Sequence, residues 1–258
     1  MYPYLPPELI QSIIEQVEDE KTLAACSLTC RAWAPVAQSR YFRNIRFGPS
    51  SNEATRFLEL IRERPHIALL PRSIRSNQWD EECDGIYFAQ IAPLLPNVTH
   101  LSLEALHLMY HSSRKTVEAF PSLQELQFYG CTIGLPFLSS FFQSHPTLRT
   151  LSFHLGEVVR VNAYQELLPL RRLQHLHAFY TQNISLLAPL IFHHDAPLAP
   201  IRCLKLDLSD NASTSTLLFG LRYTLNVLEI GASCFRDDLG TYNGTCNPIT
   251  IFVELTGL

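Results

Sequence analysis

The sequence has few charged residues. Asp, Glu, Lys and Arg make up 17% of its 258 residues, and the formal net charge is −4. An average domain has about 25% charged residues. This deficit, with 47% hydrophobic residues, argues against a disordered chain and against a basic nucleic-acid-binding protein. We therefore expect one large or two small folded domains and no nucleic-acid partner.

Signals of several other protein classes are also missing. No apolar run approaches the roughly 18 residues of a membrane span, and the first residues lack a signal-peptide pattern. Neither a glycine-rich phosphate loop nor a nucleophile elbow occurs. The seven cysteines are an odd number, which is atypical of a disulfide scaffold. We expect a reduced cytoplasmic or nuclear protein with no membrane contact, no catalytic residues and no cofactor.

The first 47 residues have the spacing of short helices. Pro6 and Pro7 suit the first turn of a helix, and apolar residues then recur every three or four positions as far as residue 17. Asp19 is predicted to cap a second helix, and a third is predicted to begin near Cys30 or Arg31. So small a unit has a marginal core, so we expect a partner or an adjoining domain to cover its excess apolar surface.

These residues resemble an F-box. Segments 5–10 (Leu-Pro-Pro-Glu-Leu-Ile) and 26–31 (Cys-Ser-Leu-Thr-Cys-Arg), with Trp33, keep the order and gaps of the family pattern. The continuation to residue 47 is similar to F-box proteins of mushroom-forming fungi. The resemblance implies docking to a Skp adaptor and, through it, to a cullin–RING ubiquitin ligase. A plain helical hairpin in which the same residues only form core is the alternative. The resemblance assigns to adaptor binding Leu5, Pro6, Leu9, Ile13, Leu23, Leu28, Cys30 and Trp33, without separating core from docking residues.

The rest of the chain repeats the phrase L-x-x-L-x-L with conservative replacements. Six copies begin at residues 98, 123, 148, 173, 201 and 225. A period of about 20–29 residues indicates a leucine-rich-repeat solenoid; an ordinary α/β domain is the alternative. We predict a strand in each copy and helices between them, as at 53–64, 136–144 and 184–192, with parallel strands inside and helices outside. The middle leucines, from Leu126 to Leu228, should form one buried column.

The predicted fold class is thus α/β. The resemblance implies a three-helix F-box over residues 1–47, and we expect residues 48–258 to form an irregular leucine-rich-repeat domain whose pattern breaks into a cap from about residue 234. One copy extends to Cys131, whose thiol is expected to turn toward the backbone of its loop.

Residues between the buried leucines must share the opposite face of the sheet. We interpret that face as the surface that binds a target protein. Imidazoles at 154, 175 and 177 could approach each other there, but a polar recognition surface explains them better, and no metal site is predicted. Two alternatives are a non-catalytic scaffold without ubiquitin transfer and an unrelated hydrolase or oxidoreductase. The predicted target-binding residues are Glu125, Gln127, Tyr129, Ser152, His154, His175, His177, Phe179, Lys205 and Asp207.

Overall fold

The structure is a computed structural model that describes residues 5–48, 51–77, 90–108, 120–160, 172–179, 181–192, 201–207, 218–219, 221, 224–231 and 250–254. Helices α1 (Pro7–Glu15), α2 (Glu20–Thr29) and α3 (Ala34–Tyr41) open the chain. Among the residues in these ranges, no helix is long and apolar enough to cross a membrane.

The start of each N-terminal helix follows from a local signal. Pro7 occupies the first turn of α1, where its missing N–H has no partner to lose. The Asp19 carboxylate accepts a hydrogen bond from the backbone N–H of Thr22, at 2.7 Å. This contact confirms Asp19 as the cap of α2. Helix α3 begins at Ala34, later than predicted, because the backbone of Cys30 is extended (φ −159°, ψ 166°) and Pro35 lies in the first turn of α3.

The three helices share a small core. Ile10 and Ile14 of α1, Leu23 of α2 and Ala37 of α3 are buried together, and Trp33 packs against them with part of its side chain exposed. This cluster is separate from the larger core of the following residues. Four buried side chains supply little hydrophobic stabilisation.

Twelve strands follow in the described part of the chain, and nine of them form one sheet in the order β1-β2-β3-β5-β7-β9-β10-β11-β12. Neighbours from β1 to β11 run parallel, and β12 runs antiparallel to β11. The chain is therefore mixed α/β with a largely parallel sheet. The strands of this sheet are β1 (Asn44–Phe47), β2 (Ser73–Asn77), β3 (His100–Glu104), β5 (Glu125–Tyr129), β7 (Thr150–His154), β9 (His175–Phe179), β10 (Cys203–Asp207), β11 (Val227–Gly231) and β12 (Thr250–Glu254).

A second sheet of three short parallel strands was not predicted. It consists of β4 (His107–Leu108), β6 (Thr132–Gly134) and β8 (Glu157–Val159). The residue just after β3, β5 and β7 is in each case in the left-handed region, with φ of 54°, 61° and 54° at Ala105, Gly130 and Leu155. This turn redirects the chain from the large sheet to the small one. Strands of two or three residues are too short to show alternation in a sequence.

Helices α4 (Ser51–Glu63), α5 (Leu135–Ser144) and α6 (Ala188–Ile191) lie between strands, at the three predicted places. The last is shorter than predicted, because residues 184–187 form a 3₁₀ helix before α6 begins at Ala188. The segments 78–89, 109–119, 161–171 and 208–217 lie outside the described residues, as do residues 234–249 of the predicted cap.

The predicted leucine column is present in one sheet. Leu126, Leu151, Leu176 and Leu204 pair in register on successive strands and are fully buried. Leu228 continues the row but is half-buried. The thiol of Cys131 donates to the carbonyls of Leu103 and Tyr129, at 3.3 and 3.4 Å, as predicted, and burial raises its pKa to about 11.

Candidate functional site

Helix α1 and the residues just before it carry apolar side chains that the N-terminal core does not bury. Leu5, Leu9 and Ile13, spaced four residues apart, are 42%, 51% and 43% exposed. Their neighbours Ile10 and Ile14 are buried. Residues four apart lie on one side of a helix, so Leu9 and Ile13 form an apolar ridge on α1 that faces away from the core.

The structure separates the predicted adaptor-binding residues into two groups. Leu28 near the end of α2 is 86% exposed, and Pro6 and Cys30 are also exposed. Leu23, by contrast, is 5% exposed and lies in the helical core, where a partner cannot reach it without unfolding α2. We call the four accessible apolar residues the exposed apolar set: Leu5, Leu9, Ile13 and Leu28.

The second candidate surface is the face of the large sheet opposite the leucine column, called here the polar sheet face. Its side chains form rows because the parallel strands pair in register. One row runs from Gln127 through Ser152 and His177 to Lys205. The next row runs from Tyr129 through His154 to Phe179. Asp207 lies in strand β10, but its side chain is outside the described part of the chain.

Aromatic rings stack along this second row. The ring of Tyr129 lies 4.5 Å from that of His154, and His154 lies 5.2 Å from Phe179. The guanidinium of Arg75 covers the other side of Tyr129, 5.6 Å from the ring centroid, and forms an ion pair with Glu104. Stacking and cation–π contacts hold these side chains in one arrangement. The rings are half-buried, so part of each remains accessible.

Polar contacts connect much of the same face. Glu125 accepts a hydrogen bond from the Gln127 amide at 2.6 Å and lies 3.2 Å from a ring nitrogen of His100. At the other end of the face, Lys205 and Glu229 form an ion pair of 2.6 Å. Because these charges are paired on adjacent strands, the face presents mixed hydrogen-bonding groups rather than one sign of charge.

Two histidines of this face have lowered pKa values. Burial lowers the pKa of His154, and burial with the nearby charge of Lys205 lowers the pKa of His177 to about 4. Nδ1 of His177 lies 3.2 Å from the hydroxyl of Ser152. Ser152 was expected to face solvent but is 1% exposed, because longer side chains stand beside it at 127 and 177 in the register.

Three potential metal ligands come together on the polar sheet face, near the start of β9 and β10. His175 and His177 lie on β9, and Cys203 pairs directly with His175 from β10. One ligand atom from each of the three lies within 4.8 Å of the others. The sequence indicated histidines here but missed Cys203. The repeats that contain β9 and β10 are separated by a longer interval than the earlier repeats. The pairing of Cys203 with His175 was therefore not apparent from the sequence.

The N-terminal helices match a known family. Residues 2–47 fit the family model described as F-box-like. This segment is thus an F-box-like domain. The match supports assignment of the chain as an F-box protein and suggests that it binds a Skp-type adaptor. F-box proteins are generally non-catalytic adaptors or receptors. No curated protein matches the chain.

Proposed function

We propose that the protein is a substrate-receptor subunit of a Skp–cullin–F-box ubiquitin ligase. The observation that carries the proposal is the exposed apolar set on an F-box-like domain. These three leucines and one isoleucine are costly to leave in water, since full burial of an exposed side chain of this size contributes about 1.5–3 kcal/mol, and covering the three half-exposed ones contributes part of that. An adaptor that covers them gains that free energy, and the helical core of Ile10, Ile14, Leu23 and Ala37 is left intact.

The remaining chain, residues 48–258, is proposed to hold the target protein. We assign it to irregular leucine-rich repeats in an F-box protein of fungal type, because the strands that contain the repeated phrase pair with one another in chain order, at the period of that phrase. The proposed contacts are on the polar sheet face, with the stacked rings of Tyr129 and Phe179 as anchors. Aromatic residues dominate the energetics of protein interfaces.

In this role the chain performs no chemistry. It raises the effective concentration of target lysines near a ubiquitin-carrying enzyme, which is an effect of tethering. The proposed setting is the cytoplasm or nucleus, where the ligase and its targets meet.

The test uses two double variants of the full chain, co-expressed with a Skp-type adaptor. Leu9→Asp with Ile13→Asp places two charges on the apolar ridge, where docking would have to desolvate them at a cost of several kcal/mol. Gln11→Asp with Ser39→Asp adds the same charge at two exposed polar positions of the same domain that lie off the ridge. The first variant should lose the adaptor in a pull-down, and the second should retain it.

Circular dichroism and thermal unfolding must show that both variants fold. Retention of the adaptor at wild-type strength by the ridge variant refutes the docking surface. A folded wild-type chain that captures target proteins but never the adaptor would instead be a repeat scaffold without ubiquitin transfer.

A further inference from the structure

We propose that His175, His177 and Cys203 form a binding site for a borderline-soft divalent metal ion of the Zn²⁺ type. The site lies on the polar sheet face and stands whether or not the chain joins a ligase. Its ligand atoms are already within 4.8 Å of one another, although they come from two strands and, for Cys203, from another repeat.

The distances suit tetrahedral coordination. Zn–N bonds of about 2.0–2.1 Å and Zn–S bonds of about 2.3 Å put neighbouring ligand atoms roughly 3.3–3.6 Å apart. Side-chain rotation alone can close the remaining difference, because the backbone register already brings the three residues together. His175 and His177 point to one side of β9, and Cys203 stands beside His175 on β10.

The donor set selects the kind of metal. Two imidazoles and a thiolate suit Zn²⁺ and similar ions, whereas Mg²⁺ and Ca²⁺ take oxygen ligands. On binding, an S–Zn bond replaces the S–H bond of Cys203 and the proton passes to the buffer, while both histidines coordinate as neutral rings. The three side chains are half-buried, so a water molecule can reach the fourth position.

The surroundings of the cluster also bear on binding. The hydroxyl of Ser152 touches Nδ1 of His177 at 3.2 Å, so coordination through Nε2 keeps this contact. Outer contacts of this kind orient imidazole ligands. Lys205 and His154 add positive or titratable groups near His177, and Glu125 adds a negative one. The ammonium of Lys205 is paired with Glu229 at 2.6 Å, which reduces its repulsion of a cation.

The test titrates the metal-free full chain with Co²⁺, a coloured substitute for Zn²⁺, and then adds Zn²⁺. A thiolate-to-cobalt charge-transfer band should appear at one equivalent and vanish as Zn²⁺ displaces Co²⁺. Cys203→Ser should abolish the band, and His175→Asn or His177→Asn should weaken binding by more than tenfold. Ser152→Ala should weaken it by about tenfold.

Matched controls are Cys26→Ser and His107→Asn, which remove a thiol and an imidazole away from the cluster and should leave the titration unchanged. A band that survives Cys203→Ser, or no band in the wild-type chain, overturns the proposal. A second measurement needs no variant: alkylation of the wild-type chain, read by mass spectrometry. Zn²⁺ should slow labelling of Cys203 at least tenfold and leave Cys30 unaffected, and equal labelling of Cys203 with and without Zn²⁺ refutes the site.

Discussion

The rings of Tyr129 and His154 stack face to face, 8° from parallel, on neighbouring strands β5 and β7. The two residues pair in register, so the roughly 4.8 Å spacing of adjacent strands sets the distance between their rings. Phe179 extends the stack to β9. The rings therefore lose little conformational freedom when a partner covers them, which favours their use as anchors.

Removing the outer rings tests whether this stack binds the target. Tyr129→Ala with Phe179→Ala should reduce capture of target proteins by about 30-fold or more, because interface hot spots contribute about 2 kcal/mol or more. The measurement is quantitative mass spectrometry of proteins captured by the full chain, with the amount of bound adaptor as the internal standard.

A control variant removes exposed apolar surface elsewhere. Leu69→Ala with Leu94→Ala truncates two exposed leucines off the polar sheet face and should leave target capture unchanged. Equal capture by the aromatic variant and the wild type would move the target site away from this face, to loops or to the C-terminal residues.

The leucine column gives a prediction about stability. Leu151→Ala should lower the free energy of unfolding by about 2–5 kcal/mol, since Leu151 is fully buried between Leu126 and Leu176. Leu228→Ala should cost clearly less, because its side chain is half-buried. Urea denaturation followed by circular dichroism measures both. Equal losses would show that the column is not packed more tightly at its centre than at β11.

Two glycines should differ in the reason that they resist substitution. Gly130 has φ of 61° with open space around it, so Gly130→Ala costs only conformational strain, about 1 kcal/mol. At Gly156 a Cβ would stand 2.7 Å from the Cys131 carbonyl oxygen. Gly156→Ala therefore pushes the backbones at 156 and 131 apart, and should lower the free energy of unfolding by about 2–3 kcal/mol. The same denaturation assay ranks them, and a larger loss at 130 would contradict the turn geometry.

The division of α1 into core and docking residues can be tested on single positions. Ile14→Ala should lower the melting temperature of the helical domain, because Ile14 is fully buried, and truncating such a residue costs about 2–5 kcal/mol. Leu9→Ala should leave the melting temperature near wild type and weaken adaptor binding. Thermal unfolding and adaptor titration are measured on each variant; the reverse pattern would exchange the two roles.

Local patterns in the sequence were enough for the elements that depend on local physics. The cap at Asp19, the strands of the repeated phrase and helices α4 and α5 each follow from a residue type or a period within one segment. The leucine column followed as well, because a regular period keeps equivalent residues in register.

Features that depend on several segments could not be predicted from the sequence. The small sheet forms because three left-handed turns send the chain in the same direction, and only one of the three left-handed residues is a glycine. Ser152 is buried by neighbours from two other strands, although its own strand pattern places it on the exposed face.

The sequence by itself determined the F-box-like pattern, the parallel α/β architecture and the alternation of buried and polar side chains, because each is written in short-range spacing. Only the tertiary structure decided which apolar residues of the N-terminal helices are core and which are exposed: Leu23 and Leu28 have the same side chain, but packing of α2 against α1 and α3 buries one and leaves the other in solvent. The pairing of β9 with β10 likewise brought Cys203 to His175, because strand register is a long-range property that no single segment contains.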